Sequence, residues 1–325
     1  MAVLEQQVNK VLIGPKEVAA GLARRAQLLR ESLNQALPEE AENGGLRQQW
    51  RHFQNKIPGL SASQFADLYA QLLVYNYFAG QILKLATNFS WQTGLFKLGE
   101  SNRSQLDNRS EKIVAELAEW LEKVEFNLEK VETSHRSSWL VRFYEDFLAV
   151  YDSQVRQSRG VYYTPAPVVS YIVQSLDFLL RRDFGLEAGL ADRVQILDPA
   201  SGTGIFLSSI IGQLQSHFES NRDMWPEYVS GELLPRLSGF ELLPVPYAIS
   251  QLLLSLQLAE SGYIFQQGER LNVRLGNALE EESIQIKAGE PLVVLGNPPY
   301  SGVSANMGSY SARSVAEYKL VDGLP

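Results

Sequence analysis

Residues 194–207 read Val194-Gln195-Ile196-Leu197-Asp198-Pro199-Ala200-Ser201-Gly202-Thr203-Gly204-Ile205-Phe206-Leu207. A short apolar run with β-branched residues ends in an acid. A loop of small residues with two glycines follows, then an apolar stretch long enough for a helix. That order of strand, tight turn and helix start is the first βα unit of a nucleotide-binding α/β sheet. Glycine lets backbone approach a ligand where any Cβ would collide. A Gly-x-Gly by itself is also compatible with a plain tight turn. The second informative stretch is Val293-Val294-Leu295-Gly296-Asn297-Pro298-Pro299-Tyr300. Two consecutive prolines cannot continue a sheet ladder. The strand therefore stops there and carries a rigid polar-aromatic tip at its carboxyl end, where open α/β sheets place their ligands.

Between these stretches the pattern repeats. Leu237-Ser238-Gly239-Phe240-Glu241 reads as a strand ending in an acid, with a helix expected from about Pro246 to Ala259. Leu271-Asn272-Val273-Arg274-Leu275 reads as a third strand, followed by Gly276-Asn277-Ala278-Leu279. Each of the four strands thus has a polar group at its carboxyl end. The polar, proline-containing residues 218–236 read as a loop, and Glu280-Glu281-Glu282 as a solvated turn. Upstream, Gly160-Val161-Tyr162-Tyr163-Thr164-Pro165 reads as a turn and an aromatic pair. Thr164 is the expected N-cap and Pro165 the first helical residue of a helix running to about Arg181-Arg182.

The first ~155 residues read as helical. Ser61 and Gln64 have capping-box spacing, and Leu60 with Phe65 can form a hydrophobic staple. Phe65, Leu68, Leu72, Tyr75, Ala79 and Ile82 then recur on one helix face. Ile113, Leu117, Leu121, Val124, Leu128 and Val131 do the same later. Pro38 to Gly45 and residues 88–110 read as loops.

Hydrophobic residues are 45% of the chain and charged residues 20%, the balance of an ordinary globular protein. The absence of cysteine excludes disulfides and thiolate metal sites, and the three histidines have no ligand-pair spacing, so no metal is expected. The first residues lack the apolar core of a signal peptide and no run approaches a membrane span, so the cytoplasm is the expected compartment. The net charge of −8 is uneven: residues 1–160 hold 19 basic and 19 acidic side chains, residues 161–325 hold 10 and 18. An acidic second half suits a cationic ligand and leaves phosphate gripping to other surfaces.

Methyl transfer from a sulfonium donor fits these parts. Its ribose needs an acceptor such as Glu241, its zwitterionic tail suits close backbone, and its positive sulfur favours an acidic pocket free of phosphate. Glu241 read alone fits a solvated strand end equally well. A phosphate ligand would call for the lysine of a P-loop, and no Gly-x-x-x-x-Gly-Lys occurs. The Asn297 amide and the Pro298 carbonyl offer two acceptors to an exocyclic amino group. Drawing both N–H bonds into hydrogen bonds pushes the nitrogen lone pair towards the methyl without a strong base. Tyr300 supplies a face on which a base taken out of a duplex can stack.

Gly-Val-Tyr-Tyr-Thr-Pro (160–165), Leu-Asp-Pro-Ala-Ser-Gly-Thr-Gly (197–204), Gly-Phe-Glu (239–241) and Gly-Asn-Pro-Pro-Tyr (296–300) occur in that order. The chain resembles an N6-adenine-specific DNA methyltransferase of the gamma arrangement. Phe65 to Gln71, Tyr144 to Leu148 and Asn297 to Ala305 resemble the methylase part of type ISP and type IIG restriction-modification proteins. The resemblance covers roughly residues 60–325. It implies an α/β fold: a Rossmann-like S-adenosylmethionine-dependent methyltransferase sheet in residues 156–325, preceded by an α-helical domain in residues 1–155. It implies S-adenosylmethionine as donor and double-stranded DNA as partner. The donor's methionine end would lie at Tyr163, Thr164 and the loop Asp198, Pro199, Ala200, Ser201, Gly202, Thr203 and Gly204. Its ribose would lie at Glu241 and its adenine ring near Asn277, where the family often has Asp. Asn297, Pro298, Pro299 and Tyr300 match the catalytic tip. Only 25 residues follow Tyr300, whereas this family fold continues with further strands and a target-recognition domain. The sheet is therefore expected to be incomplete at its C-terminal end. The main DNA surface is expected in a continuation or a second chain, with residues 1–325 alone transferring little methyl. The alternatives are an inactive remnant or scaffold, and a protein glutamine methyltransferase, which shares Asn-Pro-Pro-Tyr. The Tyr-Tyr-Thr-Pro tract favours the DNA enzyme over the latter.

Overall fold

A computed structural model of the chain describes residues 11–12, 14–55, 57, 59–84, 106–125, 136–151, 164–279, 287 and 289–298. By internal contacts it forms two compact units, Met1–Ser153 with Gln251–Ile264, and Gln154–Ser250 with Phe265–Pro325.

In the first unit a two-residue strand β1 (Val11–Leu12) precedes α1 (Pro15–Glu39), α2 (Gly45–Gln54) and α3 (Ala62–Lys84). Next come α4 (Asn108–Lys123), β2 (Val124–Glu125) and α5 (Arg136–Tyr151). β1 and β2 pair in parallel. α1 packs against α3, α4 and α5. The capping box forms as expected: Ser61 N–H donates to Gln64 Oε1 at 2.9 Å and Gln64 N–H to Ser61 Oγ at 3.3 Å. α3 is buried well beyond the one expected stripe. Ala66, Tyr69, Ala70, Leu73, Val74 and Phe78 are also enclosed, as befits a central helix of a bundle. Phe78 stacks on Phe143 of α5 with ring centroids 4.2 Å apart.

Two boundaries differ from the sequence reading. α1 continues through Pro38, which sits in its last turn, so the loop after it is only residues 40–44. Pro38 costs this turn one N–H, the one that would reach the carbonyl of the exposed Asn34, and Leu33 and Leu37 keep the final turns anchored in the core. α4 begins within the expected loop, because Asp107 caps it by accepting from Arg109 and Ser110 N–H. It ends at Lys123, where Val124 turns extended to pair with Val11. Leu128, Val131 and residues 85–105 lie outside the described residues.

In the second unit α6 (Ala166–Phe184) leads to β3 (Gln195–Asp198), α7 (Ile205–Ser216), β4 (Leu237–Glu241) and α8 (Pro244–Glu260). The second half of α8 is counted with the first unit. β5 (Asn272–Leu275) and β6 (Leu292–Val294) follow. Pro165 is the N-cap of α6, one residue later than expected, and Gly185 ends the helix in the left-handed conformation with φ 67°. Of residues 218–236, only 218–221 are a turn, and the rest are not a loop. Arg222–Met224, Trp225–Tyr228, Val229–Leu233 and Leu234–Arg236 form a continuous helical run, with a π turn at its centre. Trp225, Val229 and Leu233 recur at helical spacing and are all buried, and the two prolines fall where helical turns begin. At the end of the run the buried Arg236 donates to the carbonyls of Leu190 and Val194, both at 2.9 Å, which fixes the approach to β3.

All four strands are parallel, in the order β5-β4-β3-β6. The first strand is central, the next two build out on one side, and the fourth crosses to the other. The direction of winding therefore reverses between β3 and β6, and the carboxyl ends of those two strands flank the crevice where such sheets bind ligands.

Candidate active site

Asp198 ends β3, and the chain then turns through Pro199 and Ala200 to α7. Ser201 fixes this turn twice, its N–H donating to Phe240 O at 2.8 Å and its hydroxyl to the same oxygen at 3.0 Å. Gly202 and Gly204 have φ of 55° and 84°, a region that L side chains rarely enter. A Cβ on Gly202 would meet nothing within 4 Å, so this loop presents bare backbone to open space. Thr203, between them, is half-buried.

Glu241 ends β4 beside this loop. It is only 9% exposed, which removes the solvated-strand-end reading. Its Oε2 accepts Gly202 N–H and its Oε1 accepts Leu243 N–H, each at 2.8 Å. Burial raises the Glu241 carboxyl above the usual range, and these N–H groups pull it back. Each oxygen accepts one of these bonds and keeps lone-pair capacity for a further donor. Gly276 N–H donates to Glu241 O at 2.9 Å, bringing the end of β5 alongside. Asn277 follows, half-buried, its Oδ1 accepting Leu279 N–H at 3.1 Å in an Asx turn.

β6 brings the second motif to Asp198. Leu295 N–H donates to Leu197 O at 3.0 Å, so Gly296 comes level with Asp198. An added Cβ on Gly296 would collide with Asp198 Oδ1. Sequence reasoning passed over this glycine. Its signal was its position, directly ahead of Asn-Pro-Pro at a strand end. Asn297 is half-buried and its Nδ2 donates to Thr164 Oγ1 at 2.9 Å, which brings Thr164, two residues ahead of α6, to the tip of β6. Pro298 is exposed. Tyr163, Pro299 and Tyr300 lie outside the described residues. The structure thus brings together Thr164, the 198–204 loop, Glu241 and Asn297, with Asn277 joined through its neighbour.

Asp198 is fully buried. Its Oδ1 accepts Ala200 N–H at 3.1 Å, while Oδ2 has no hydrogen-bond partner. Burial chiefly, with the nearby Glu241 charge adding, pushes this carboxyl up to about 7 against the pull of Ala200 N–H. The native state therefore holds a proton between the ordinary carboxylate range and pH 7 that the unfolded chain has released. Stability should fall as pH rises from the ordinary carboxylate range to about 7 and level off above it. Asp198→Asn is expected to raise the melting temperature over the parent by more at pH 8 than at pH 5, by calorimetry or circular dichroism. A gain of equal size at both pH values would remove the buried-charge account.

These parts offer bare backbone, an unmet buried carboxylate oxygen and a second carboxylate along one strand-end crevice, with a directed amide at its edge. The family model for N-6 DNA methylases matches residues 136–317, a little over half of the chain. The chain belongs to the N-6 DNA methylase family. A putative type II restriction enzyme and methyltransferase of Methanocaldococcus jannaschii is 25% identical over 241 residues, and the match covers 57% of this chain and 20% of that protein. Among solved structures, the ATP-dependent type ISP restriction-modification enzyme LlaBIII bound to DNA has a TM-score of 0.63 at 17% identity. The match covers 90% of this chain and 20% of that one. The DrdV–DNA complex gives 0.66 at 21%, over 93% and 32%. These likenesses establish the shared α/β methyltransferase fold. The methylase chain spans about a fifth of the length of the curated relative and a fifth to a third of these two structures. Among the described residues no helix is long and apolar enough to cross a membrane, and no group of three acidic or histidine side chains could hold a metal.

Proposed function

We propose that this chain carries the donor site and catalytic tip of a DNA adenine-N6 methyltransferase that acts in a restriction-modification system in the cytoplasm. Residues 156–325 are the catalytic portion and residues 1–155 a helical domain joined to it. The observation that carries the reading is the meeting of Asp198, Glu241, Gly202 and Asn297 at the carboxyl ends of β3, β4 and β6, where the sheet reverses its winding.

The residues present fit S-adenosylmethionine, which when bound supplies an electrophilic methyl group on a cationic sulfur. The unmet Oδ2 of Asp198 suits its ammonium. The open backbone at Gly202 admits the methionine tail. Glu241 retains acceptor capacity for the ribose hydroxyls, and Asn277 stands at the next strand end for the ring. Asn297 Oδ1 and the Pro298 carbonyl accept the two N–H bonds of the target amino group, which directs its lone pair outward to the methyl. Tyr300 provides the stacking face for an adenine drawn out of double-stranded DNA, and much of the DNA-gripping surface belongs to other parts of the system.

Titration of the chain with S-adenosylmethionine in a calorimeter, and tritiated methyl transfer to DNA followed by nucleoside analysis, test this. Saturable binding and labelled N6-methyladenine are expected. N4-methylcytosine, or label on protein glutamine instead of DNA, would overturn the adenine reading. Glu241→Ala should weaken donor binding by ~1.5–3 kcal/mol, the scale of a charge-assisted hydrogen bond. It also strands the N–H groups of Gly202 and Leu243, so it should lower the melting temperature as well. Unchanged donor affinity in Glu241→Ala would sink the ribose assignment.

A further inference from the structure

We propose that Thr164 is a positioning residue that sets which end of the Asn297 amide faces the substrate; this rests on the reading that Asn297 grips the target amino group. A terminal amide has a broad, two-fold torsion, and turning it over exchanges an acceptor oxygen for an NH₂ donor at nearly the same place. An amino group that must give N–H bonds is received by Oδ1 and repelled by Nδ2. The motif therefore needs something that tells the two ends apart. Pro298 cannot do so, since it has no N–H and its carbonyl is assigned to the substrate. Gly296 brings no side chain.

Among the described residues the side chain of Asn297 makes one hydrogen bond, from Nδ2 to Thr164 Oγ1, at 2.9 Å across 133 positions of sequence. With Nδ2 held there, Oδ1 is turned away from Thr164. The hydroxyl accepts this bond, and it selects this end of the amide as long as its own proton is engaged elsewhere, because a hydroxyl that turned its proton to Asn297 would receive Oδ1 instead. Thr164 is well placed to act as a fixed post. Its β-branched side chain has few rotamers, and it directly precedes Pro165, the N-cap of the 19-residue helix α6. Its hydroxyl, expected from sequence at the donor's methionine end, is thereby committed to the catalytic tip.

The test uses Thr164→Val, which keeps the shape and removes the hydroxyl, and Thr164→Ser, which keeps the hydroxyl. In the ¹⁵N-labelled full chain, the Asn297 side-chain NH₂ pair is identified by its loss in Asn297→Ala. Its hydrogen-bonded proton should move upfield in Thr164→Val and stay in place in Thr164→Ser. An unmoved pair in Thr164→Val overturns the proposal, whether or not the chain transfers methyl. In tritiated methyl transfer to unmethylated phage DNA, Thr164→Val should lower kcat roughly 3- to 10-fold, the size of one neutral hydrogen bond. The calorimetric Kd for S-adenosylmethionine should stay within about twofold, and Thr164→Ser should restore kcat. Thr164→Val added to Asn297→Ala should cost nothing further. A donor Kd that rises as far as kcat falls would make Thr164 a donor contact, and a serine variant as poor as valine would make it packing; either overturns the positioning role. Undiminished turnover in Asn297→Ala overturns instead the reading of Asn297 on which this rests.

Discussion

Asn297→Ala is expected to lose methyl transfer by about 10²–10³ in kcat, the range for removing one preorganised group that meets developing charge. Donor affinity should stay within about twofold of the parent. The split follows from where the residue sits. Asn297 lies beyond the end of β6, and its amide is anchored on Thr164, whereas the assigned donor contacts lie on the 198–204 loop and Glu241. Its acceptor oxygen matters most as the target nitrogen becomes tetrahedral and its N–H bonds polarise, so the loss falls on the chemical step. Tritiated methyl transfer to DNA gives the turnover and calorimetry gives the donor Kd. The comparison is made in a form of the protein that transfers methyl: the 1–325 chain, or that chain supplied with the remainder of its system. Full turnover in the Asn297→Ala protein would sink the catalytic assignment. A rise in donor Kd equal to the fall in turnover would move Asn297 into the donor site.

Gly202→Val should abolish measurable donor binding while the chain still folds. Two effects act in the same direction. The residue has φ 55°, where a β-branched side chain is strained, by an amount on the order of 1–2 kcal/mol. Its new side chain would also project into open space beside the loop, because no protein atom lies within 4 Å of the Cβ position. Space that is empty of protein at a strand-end glycine is where the donor's backbone-hugging tail is assigned. The variant is therefore tolerated by the fold and rejected by the ligand. Gly202→Ala should fall between the two, sharing the strain with a smaller obstruction. Calorimetry with S-adenosylmethionine and a melting curve separate the effects. If the valine variant folds and binds within about threefold of the parent, the donor does not pass over Gly202.

The local signals of this chain were strong enough to specify much of it unaided. β3, its glycine loop and α7 follow from an apolar run, an acid and two glycines that demand positive φ. The capping box of α3 forms from Ser61 and Gln64 as their spacing dictates, since both partners lie within one turn. The candidate residues Asp198, Glu241 and Asn297 were legible because strand ends in parallel sheets are where polar groups collect, and each stands directly after an apolar run. Where local signals compete, packing decided. Residues 222–236 carry two prolines and a glycine that read as a loop, yet Trp225, Val229 and Leu233 bury on one face and hold them helical. α4 stops at Lys123 although apolar spacing continues, because pairing of Val124 with Val11 satisfies an extended backbone there. The state of the site's charges is also tertiary. No spacing reveals that Asp198 is sealed with one oxygen unmet, or that Glu241 already holds the backbone of Gly202, because both depend on what the neighbouring strand brings. The same holds for Gly296, whose missing Cβ matters only because β6 pairs beside β3. Thr164 and Asn297 each announce a motif in the sequence; that one orients the other is a contact made by the fold alone, since nothing local links residues 133 positions apart.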